Sequence, residues 1–251
     1  MNAIVTGARR GIGRAIVEKF IKNGINVWAC SSHMDDSFIE DMKALESSCE
    51  AGGKIIPLEL DLRNEQSIKD AVKKVYSSKD EEGNRVAVDI LVNNAGVPSS
   101  GLMQMTSMDT LRDVMEVNFI GQMALIQGIS KIMIRQKSGS IVNIGSGGGI
   151  EAREGYLAYG SSKAAFMWAT RCISKELAPY NIRVNAVAPG LVETDMGNVK
   201  SEEEQSKILD AISMKRKGTP EEIAEVVYFL STDASSFITG SIINADGGRL
   251  I

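Results

Sequence analysis

The chain has 251 residues, of which 43% are hydrophobic and 24% are charged. This is the composition of a globular protein, and it excludes a disordered chain, a collagen and a coiled coil. The net charge of −4 argues against a nucleic-acid-binding protein, because such domains usually carry an excess of positive charge.

Short apolar runs, typical of buried strands, alternate with helical patterns along the chain. A charged segment at residues 77–85 (SSKDEEGNR) interrupts this alternation and indicates a solvated loop. In chain order, the predicted elements are strand 2–6, a helix from Ile12 to Gly24, strand 25–30, helix 35–51, strand 54–60, helix 64–76, strand 86–92, helix 107–136, strand 140–144, helix 156–180, strand 182–188, a helix from Pro220 and strand 241–245.

The alternation of strands and helices predicts the fold class. Right-handed crossovers through helices make successive strands parallel, so we expect a mostly parallel sheet with helices on both faces. The sequence has no Pro- or Ser-rich linker and no internal repeat of solenoid length. We therefore predict a single α/β domain over residues 1–251, doubly wound and of Rossmann type.

Cysteine and histidine are too sparse to predict a metal site. Cys30, Cys49 and Cys172 lack the spacing of metal ligands, and His33 is the single histidine. We interpret the cysteines as free thiols of a reducing compartment. No apolar run approaches the roughly 20 residues of a membrane span, and no secretory signal precedes the first strand. We expect no metal, no membrane contact and a cytoplasmic location.

Three glycines, Gly7, Gly11 and Gly13, separate the first predicted strand from the first helix. Glycine tolerates the left-handed backbone of a tight turn, and its missing side chain lets a phosphate approach the N–H groups of a helix N-terminus. The spacing G-x-x-x-G-x-G differs from the G-x-G-x-x-G of the common dinucleotide fingerprint. Its place in the first strand-to-helix turn nevertheless predicts a nucleotide site.

Several motifs along the chain resemble those of the short-chain dehydrogenase/reductase family. The resemblance covers essentially the whole chain, and the motifs are specific in combination although each is modest alone. They are Thr6-Gly7-x-x-x-Gly11-Ile12-Gly13, Asn93-Asn94-Ala95-Gly96, Ser146 with Tyr159-x-x-x-Lys163, Pro189-Gly190 followed by Thr194, and Asn244-Ala245-Asp246-Gly247-Gly248.

The resemblance implies a nicotinamide cofactor, which we expect to be NADP(H). An NAD-binding site usually has an acidic residue at the end of the second strand, but no acid appears here before Asp35. Ser31 and Ser32 offer hydrogen bonds to a 2′-phosphate and Arg10 offers charge; the alternative for Arg10 is a side chain that merely faces solvent. The implied cofactor-binding residues are Gly7, Arg9, Arg10, Gly11, Ile12, Gly13, Ser31, Ser32, Asp61, Leu62, Asn93, Ala95, Gly96, Tyr159, Lys163, Pro189, Gly190, Val192 and Thr194.

The resemblance also implies four catalytic residues, Asn118, Ser146, Tyr159 and Lys163. Tyr159 and Lys163 are four residues apart on a predicted helix and so share a face. A phenol with a pKa of about 10 transfers protons poorly at neutral pH, and a nearby ammonium is expected to lower that pKa. By the resemblance, Tyr159 donates a proton, Ser146 hydrogen-bonds the substrate oxygen, Lys163 holds the nicotinamide ribose, and Asn118 positions a water.

Some of these residues have structural alternatives. The alternative for Asn118 is a buried amide satisfied by backbone groups. Asp61 resembles an adenine-contacting residue but also fits a cap of the next helix. Met103, Met105 and Met108 we interpret as gap-fillers of the core.

Within the family, the stretches 185–196 and 218–224 resemble 3-oxoacyl-[acyl-carrier-protein] reductases. This implies NADPH-dependent reduction of a 3-oxoacyl group on acyl carrier protein. The alternatives are an oxidoreductase for another secondary alcohol or ketone, such as a steroid, a sugar or a small alcohol, and a nucleotide-binding sensor without turnover. Residues 193–217 correspond to the substrate loop of the family.

The resemblance further implies a homotetramer, paired through helices 107–136 and 156–180 and through the chain from Pro220 onward. Lys137 and Lys175 fall where related reductases carry arginines that bind the acidic carrier protein. The alternative is that both are ordinary surface lysines.

Overall fold

The computed structural model of the chain describes residues 1–49, 52–194 and 208–249. Within these residues, the central strands are almost entirely buried, as in a sheet covered on both faces. The strands are β1 (Asn2–Thr6), β2 (Asn26–Ser31), β3 (Ile55–Glu59), β4 (Ile90–Asn93), β5 (Gly139–Ile144), β6 (Ile182–Pro189) and β7 (Ile242–Ala245). They form one parallel sheet in the order β3-β2-β1-β4-β5-β6-β7.

Helices cover both faces of this sheet. They are α1 (Gly11–Lys22), α2 (Asp36–Ser47), α3 (Glu65–Ser77), α4 (Met108–Met115), α5 (Gly121–Gln136), α6 (Leu157–Leu177) and α7 (Pro220–Ser231). On one face, Phe20 of α1 and Val227 of α7 belong to the same buried apolar cluster. On the other face, Ile129 of α5 and Phe166 of α6 share a second cluster. The predicted doubly wound fold of Rossmann type is therefore confirmed.

Strand β4 is shorter than the apolar run that predicts it. The run begins at Val86, but the strand begins at Ile90. The backbone N–H of Val88 donates to Gln136 Oε1 at 2.9 Å, and its carbonyl accepts from Gln136 Nε2 at 2.9 Å. A glutamine side chain at the end of α5 thus replaces the strand ladder, so Val88 is fully buried without being part of the sheet.

Helices α4 and α5 are continuous through a π turn at Glu116–Ile120, giving one helix over Met108–Gln136. By length and composition alone, this helix could cross a membrane, which corrects the expectation that no segment comes close to doing so. Half of its most apolar stretch is buried inside the protein, where its residues belong to the same cluster as Ile68 of α3 and Phe166 of α6. These contacts are those of a core helix.

The prediction that three methionines fill gaps in the core is wrong. Met103, Met105 and Met108 are 72%, 77% and 58% exposed. They lie in a short 3₁₀ turn after β4 and at the start of α4, outside both buried clusters. The methionines that do fill the core include Met42 and Met133.

Candidate active site

The glycine loop lies at the carboxyl end of β1. Gly7 and Gly11 have φ values of +66° and +55°, in the left-handed region that disfavours other residues. A Cβ on Gly13 would lie 2.1 Å from the Gly7 carbonyl oxygen, and a Cβ on Gly11 would lie 3.3 Å from Thr194. The loop is therefore a tight turn whose backbone is not covered by side chains at the three glycines, and it lies next to the segment after β6. These features fit a phosphate cradle at the start of α1.

The end of β4 is fastened to this loop. Thr6 Oγ1 accepts from the backbone N–H groups of Asn94 and Ala95, both at 2.9 Å. Asn94 Nδ2 donates to the carbonyls of Thr6 and Gly7 at 2.9 and 3.2 Å. Thr6 was absent from the predicted site residues, although it opens the glycine motif. Together these bonds set the spacing between the two motifs.

Asn93 ends β4, and its side chain lies within the sheet. It is fully buried and donates to Asn143 Oδ1 at 2.8 Å, toward β5. A cofactor contact at this position would have to come from backbone atoms. Ala95 and Gly96 lie beyond the strand end; a Cβ on Gly96 would lie 3.4 Å from Lys163 Nζ.

At the carboxyl end of β2, Arg9 contacts three neighbouring residues. Its Nη2 donates to the His33 carbonyl at 2.7 Å and pairs with Asp35 at 3.0 Å, and its guanidinium lies 5.1 Å from the Phe38 ring centre. Arg10, which the sequence analysis favoured for the 2′-phosphate, is exposed.

Ser31, the last residue of β2, and Ser32, which follows it, differ in exposure. The Ser31 hydroxyl is buried and donates to the His33 carbonyl at 2.9 Å. Ser32 is exposed and lies 3.0 Å from His33 Nδ1. The exposed Ser32 hydroxyl is therefore more accessible to a ligand than the buried Ser31 hydroxyl. The predicted site residues do not include His33, whose ring lies beside Ser32.

Asp61 and Leu62 follow β3. Asp61 Oδ1 accepts from the N–H of Arg63 at 3.0 Å, whereas Asn64 caps α3 by accepting from Gln66 and Ser67. The alternative that Asp61 caps this helix is therefore wrong. Leu62 is 4% exposed, and its carbonyl would lie 2.2 Å from a Cβ on Gly121 of α5.

Ser146 and Tyr159 meet in the cleft. Ser146 follows β5, and its Oγ accepts from the N–H of Gly148 at 3.1 Å. Tyr159 lies in the first turn of α6, near the Ser146 hydroxyl. Burial raises the pKa of Tyr159, and the neighbouring Ser146 hydroxyl opposes that rise. The expectation of a lowered pKa is wrong for the protein by itself, because burial outweighs the groups that favour the phenolate.

Lys163 lies one helical turn further along α6. It is 4% exposed, and its Nζ donates to the Ile144 carbonyl at 2.8 Å. Burial lowers the pKa of Lys163 to about 8, because desolvation disfavours the ammonium.

Asn118 matches the structural alternative considered for it. It lies within the π turn and is fully buried. Its Oδ1 accepts from the N–H of Val97 at 2.8 Å, and its Nδ2 donates to the Val97 carbonyl and to Ser162 Oγ at 3.0 and 3.1 Å. The side chain joins three segments of the site, and both of its polar atoms have partners within the protein.

Tyr156 is a site residue that motif spacing missed. Its ring centre lies 6.0 Å from that of Tyr159, with the planes at 87°. A Cβ on Gly148 would lie 2.7 Å from the Tyr156 ring and 3.5 Å from Ser146 Oγ. The only sequence signal would have been its position three residues before Tyr159, on the same side of the helix start.

The segment after β6 runs beside the glycine loop, with Thr194 next to Gly11. Pro189 ends the strand, and the N–H of Gly190 donates to the Ala245 carbonyl at 3.0 Å. Val192 is 5% exposed and forms a bridge with Gly218. The predicted substrate loop 193–217 is described only in part, because residues 195–207 lie outside the described residues. In the described part of the chain, no group of three or more His, Cys, Asp or Glu side chains could hold a metal ion.

Comparison with known proteins agrees with this architecture. A family model described as Enoyl-(Acyl carrier protein) reductase matches residues 7–249. The 3-oxoacyl-[acyl-carrier-protein] reductase of Aquifex aeolicus is 39% identical over 246 residues, which are 98% of this chain and 96% of that protein. The chain belongs to the short-chain dehydrogenase/reductase family.

Other members of the short-chain dehydrogenase/reductase family are almost as similar. The 3alpha-hydroxysteroid dehydrogenase of Mediterraneibacter gnavus is 35% identical, covering 98% of this chain and 95% of that protein. The crystal structure of the 3-oxoacyl-[acyl-carrier protein] reductase from Brucella melitensis matches with a TM-score of 0.88 at 29% identity, covering 100% of this chain and 91% of that one. The chain is accordingly a nicotinamide-dependent oxidoreductase.

Proposed function

We propose that the protein reduces a ketone to a secondary alcohol with NADPH, and that the substrate is a 3-oxoacyl group on acyl carrier protein. The observation that carries this proposal is the convergence of Ser146, Tyr159 and the buried Lys163 at the end of β5, where Lys163 Nζ donates to the Ile144 carbonyl at 2.8 Å. The 39% identity to a 3-oxoacyl-[acyl-carrier-protein] reductase supports the substrate class. The steroid dehydrogenase at 35% identity makes a steroid ketone the second candidate.

The chemistry divides between cofactor and protein. A bound nicotinamide supplies the hydride. Ser146 donates a hydrogen bond to the substrate carbonyl oxygen, and Tyr159 delivers the proton to that oxygen. The positive charge of Lys163 stabilises the negative charge that develops on the oxygen as the reaction proceeds. The deciding assay is oxidation of NADPH with an acetoacetyl thioester and, in parallel, with a 3-oxosteroid; consumption with the steroid alone would reject the 3-oxoacyl substrate.

NADPH is expected to be preferred over NADH because the Arg9 cation lies near the end of β2 and the first acid after that strand is Asp35. Replacing Arg10→Ala, and separately Arg9→Ala, should raise the KM for NADPH by about tenfold, the value of one charge-assisted hydrogen bond, and change the KM for NADH little. Asp35→Asn should lower the KM for NADPH, because Asp35 competes for Arg9. Equal losses for both cofactors in both arginine variants would contradict this cofactor preference.

A homotetramer is proposed on the exposed apolar surface of α6 and its surroundings. Trp168 of α6 is 65% exposed, Phe237 is 102% exposed, and Ile150 is 47% exposed. Trp168 and Ile150 line one cavity of about 410 Å³ together with Ile242 of the edge strand β7. Patches of this kind usually mark interfaces. Light scattering at micromolar concentration should give four times the chain mass; a monomer would exclude the proposal.

Carrier docking is proposed at the end of the sheet where β5 and β6 begin, opposite to the end that carries the active site. Lys137 is exposed and precedes β5, whereas Ser146 follows the other end of that strand, roughly 20 Å away at 3.3 Å per residue. Lys175, also exposed, lies in the last turn of α6, just before β6. Lys137→Glu with Lys175→Glu should raise the KM for a carrier-bound substrate several-fold and leave a small free thioester unchanged. Identical kinetics on the carrier-bound substrate would exclude this surface.

A cytoplasmic location is proposed with this function. Cys30, Cys49 and Cys172 are free thiols, one of them exposed, which fits a reducing compartment. NADPH-dependent reduction also fits such a compartment, where the cofactor is made and used.

A further inference from the structure

A charged cluster lies beside the catalytic tyrosine and has no part in the proton transfer. It consists of Glu151, Arg153 and Arg249, and we call it the Glu151 cluster. Arg153 Nε and Nη2 donate to Glu151 Oε2 at 3.0 and 2.5 Å. Arg249 Nε lies 3.4 Å from the same carboxylate oxygen. Two guanidinium groups therefore share one carboxylate, which leaves one positive charge uncompensated within the cluster.

The Glu151 cluster is adjacent to the reacting groups. The Arg153 guanidinium lies 5.6 Å from the ring centre of Tyr156, whose ring lies 6.0 Å from that of Tyr159. The Tyr156 ring also packs against Gly148, next to Ser146. Tyr156 therefore contacts both the reacting tyrosine and an arginine of the Glu151 cluster.

The arginines are held in a setting that favours an additional anion. Their side chains are 21% and 12% exposed, so neither is an ordinary solvated surface arginine. Burial and the charge of Arg153 lower the pKa of Arg249, which means that the two cations repel each other. The buried Nε of Arg249 pairs with Glu151 at 3.4 Å but makes no well-aligned hydrogen bond among the described residues. An incoming anionic group would relieve the repulsion and accept hydrogen bonds from a guanidinium.

We propose that the Glu151 cluster binds an anionic group of the substrate, a carboxylate or a phosphate, while Glu151 holds the arginines in place and competes with that group. This inference rests on the proposed ketone reduction and narrows its substrate class to acidic ketones. The anion has two possible sources: a carboxylate at the far end of the acyl chain, or a phosphate of the thioester handle.

The test compares three substrates that share a 3-oxohexanoyl skeleton. One is the neutral N-acetylcysteamine thioester, the second is the same thioester with a terminal carboxylate, and the third is the neutral acyl group on coenzyme A, whose handle carries phosphates. The wild-type KM is expected to be at least about tenfold lower for one of the two anionic substrates than for the neutral one, as for a charge-assisted hydrogen bond. The substrate that gains identifies the source of the anion.

Two variants with opposite expected effects distinguish an anion-binding role of the Glu151 cluster from a purely structural role. Arg249→Met should raise the KM for the favoured anionic substrate by about tenfold and leave that for the neutral substrate within about twofold. Glu151→Gln should lower the KM for the anionic substrate, because it removes the competing carboxylate. Arg85→Gln is the matched control, since it removes an arginine stacked 4.3 Å from the Tyr76 ring, outside the cleft.

Failure of this inference is distinguishable from failure of the proposed function. Turnover of the neutral thioester tests the reductase function alone. Charge preference is also measured without turnover, as the dissociation constants of glutarate and its dimethyl ester from the NADPH complex. Tighter binding of glutarate in wild type, lost in Arg249→Met, supports the inference. Equal binding of both ligands, or equal losses on charged and neutral substrates in both variants, would show that the Glu151 cluster is a structural brace and overturn it.

Discussion

Replacing Tyr159→Phe should lower kcat by about 10²–10⁴-fold, the usual contribution of one positioned proton donor. The substitution removes a hydroxyl and keeps the ring, so the packing of Tyr159 against Tyr156 and the fold of α6 should persist. Binding of NADPH, followed by its fluorescence, should change little. The loss therefore reports proton delivery and not a damaged site.

Tyr228→Phe is the matched control for this experiment. Tyr228 lies on α7, where its ring centre is 6.3 Å from that of Phe20 on the opposite face of the sheet from α6. Losing its hydroxyl should leave kcat within about twofold, as for a surface change away from the site. If Tyr159→Phe keeps more than about a tenth of wild-type kcat, well short of the general-acid range, Tyr159 is not the proton donor.

The sequence predicts the sheet and its helices well because burial repeats with the period of each element. The bounds of β1 are those of its apolar run, and α1 begins at the predicted glycine loop. The failures occur where side chains replace regular backbone bonding. Gln136 takes the backbone partners of Val88 and shortens β4. No periodicity in the sequence reveals such a substitution, because it depends on a residue 48 positions away.

The π turn at Glu116–Ile120 has a similar origin. Asn118 bonds to Val97 and Ser162 through its side chain, and a wider turn lets an otherwise regular helix present that amide to both partners. Apolar spacing predicts the helix over 107–136 but cannot predict the turn, since the cause lies in segments distant in sequence.

For the site, motifs predict the order of residues along the sheet edge but not which neighbour each one contacts. The glycine loop, Ser146, Tyr159 and Lys163 come together because parallel strands end at the same edge. Motif matching predicts both Arg9 and Arg10 as cofactor residues, but it does not predict the contacts with Asp35 and Phe38 that hold Arg9 at the end of β2. It also missed Tyr156, whose place depends on how the loop before α6 folds over Gly148.

Replacing Lys163→Met should lower kcat by about 10²-fold or more, as expected for the loss of a buried charge that stabilises a developing negative oxygen. Burial lowers the pKa of Lys163 to about 8, so wild-type kcat should fall as the pH rises through about 8, and the variant should lack that step.

The stability of the wild-type protein should change with pH in the opposite direction from kcat. A lysine with a pKa lower in the folded than in the unfolded state binds fewer protons when folded, so wild-type stability rises with pH between about 8 and 10.4. Below that window the charged lysine costs about 3 kcal/mol, which methionine removes, partly offset by the lost bond to the Ile144 carbonyl. At pH 7 the variant should therefore unfold at an equal or higher Tm while turning over far more slowly. A fall in Tm that parallels the loss of activity would mean that Lys163 holds the fold together and has no direct role in the reaction.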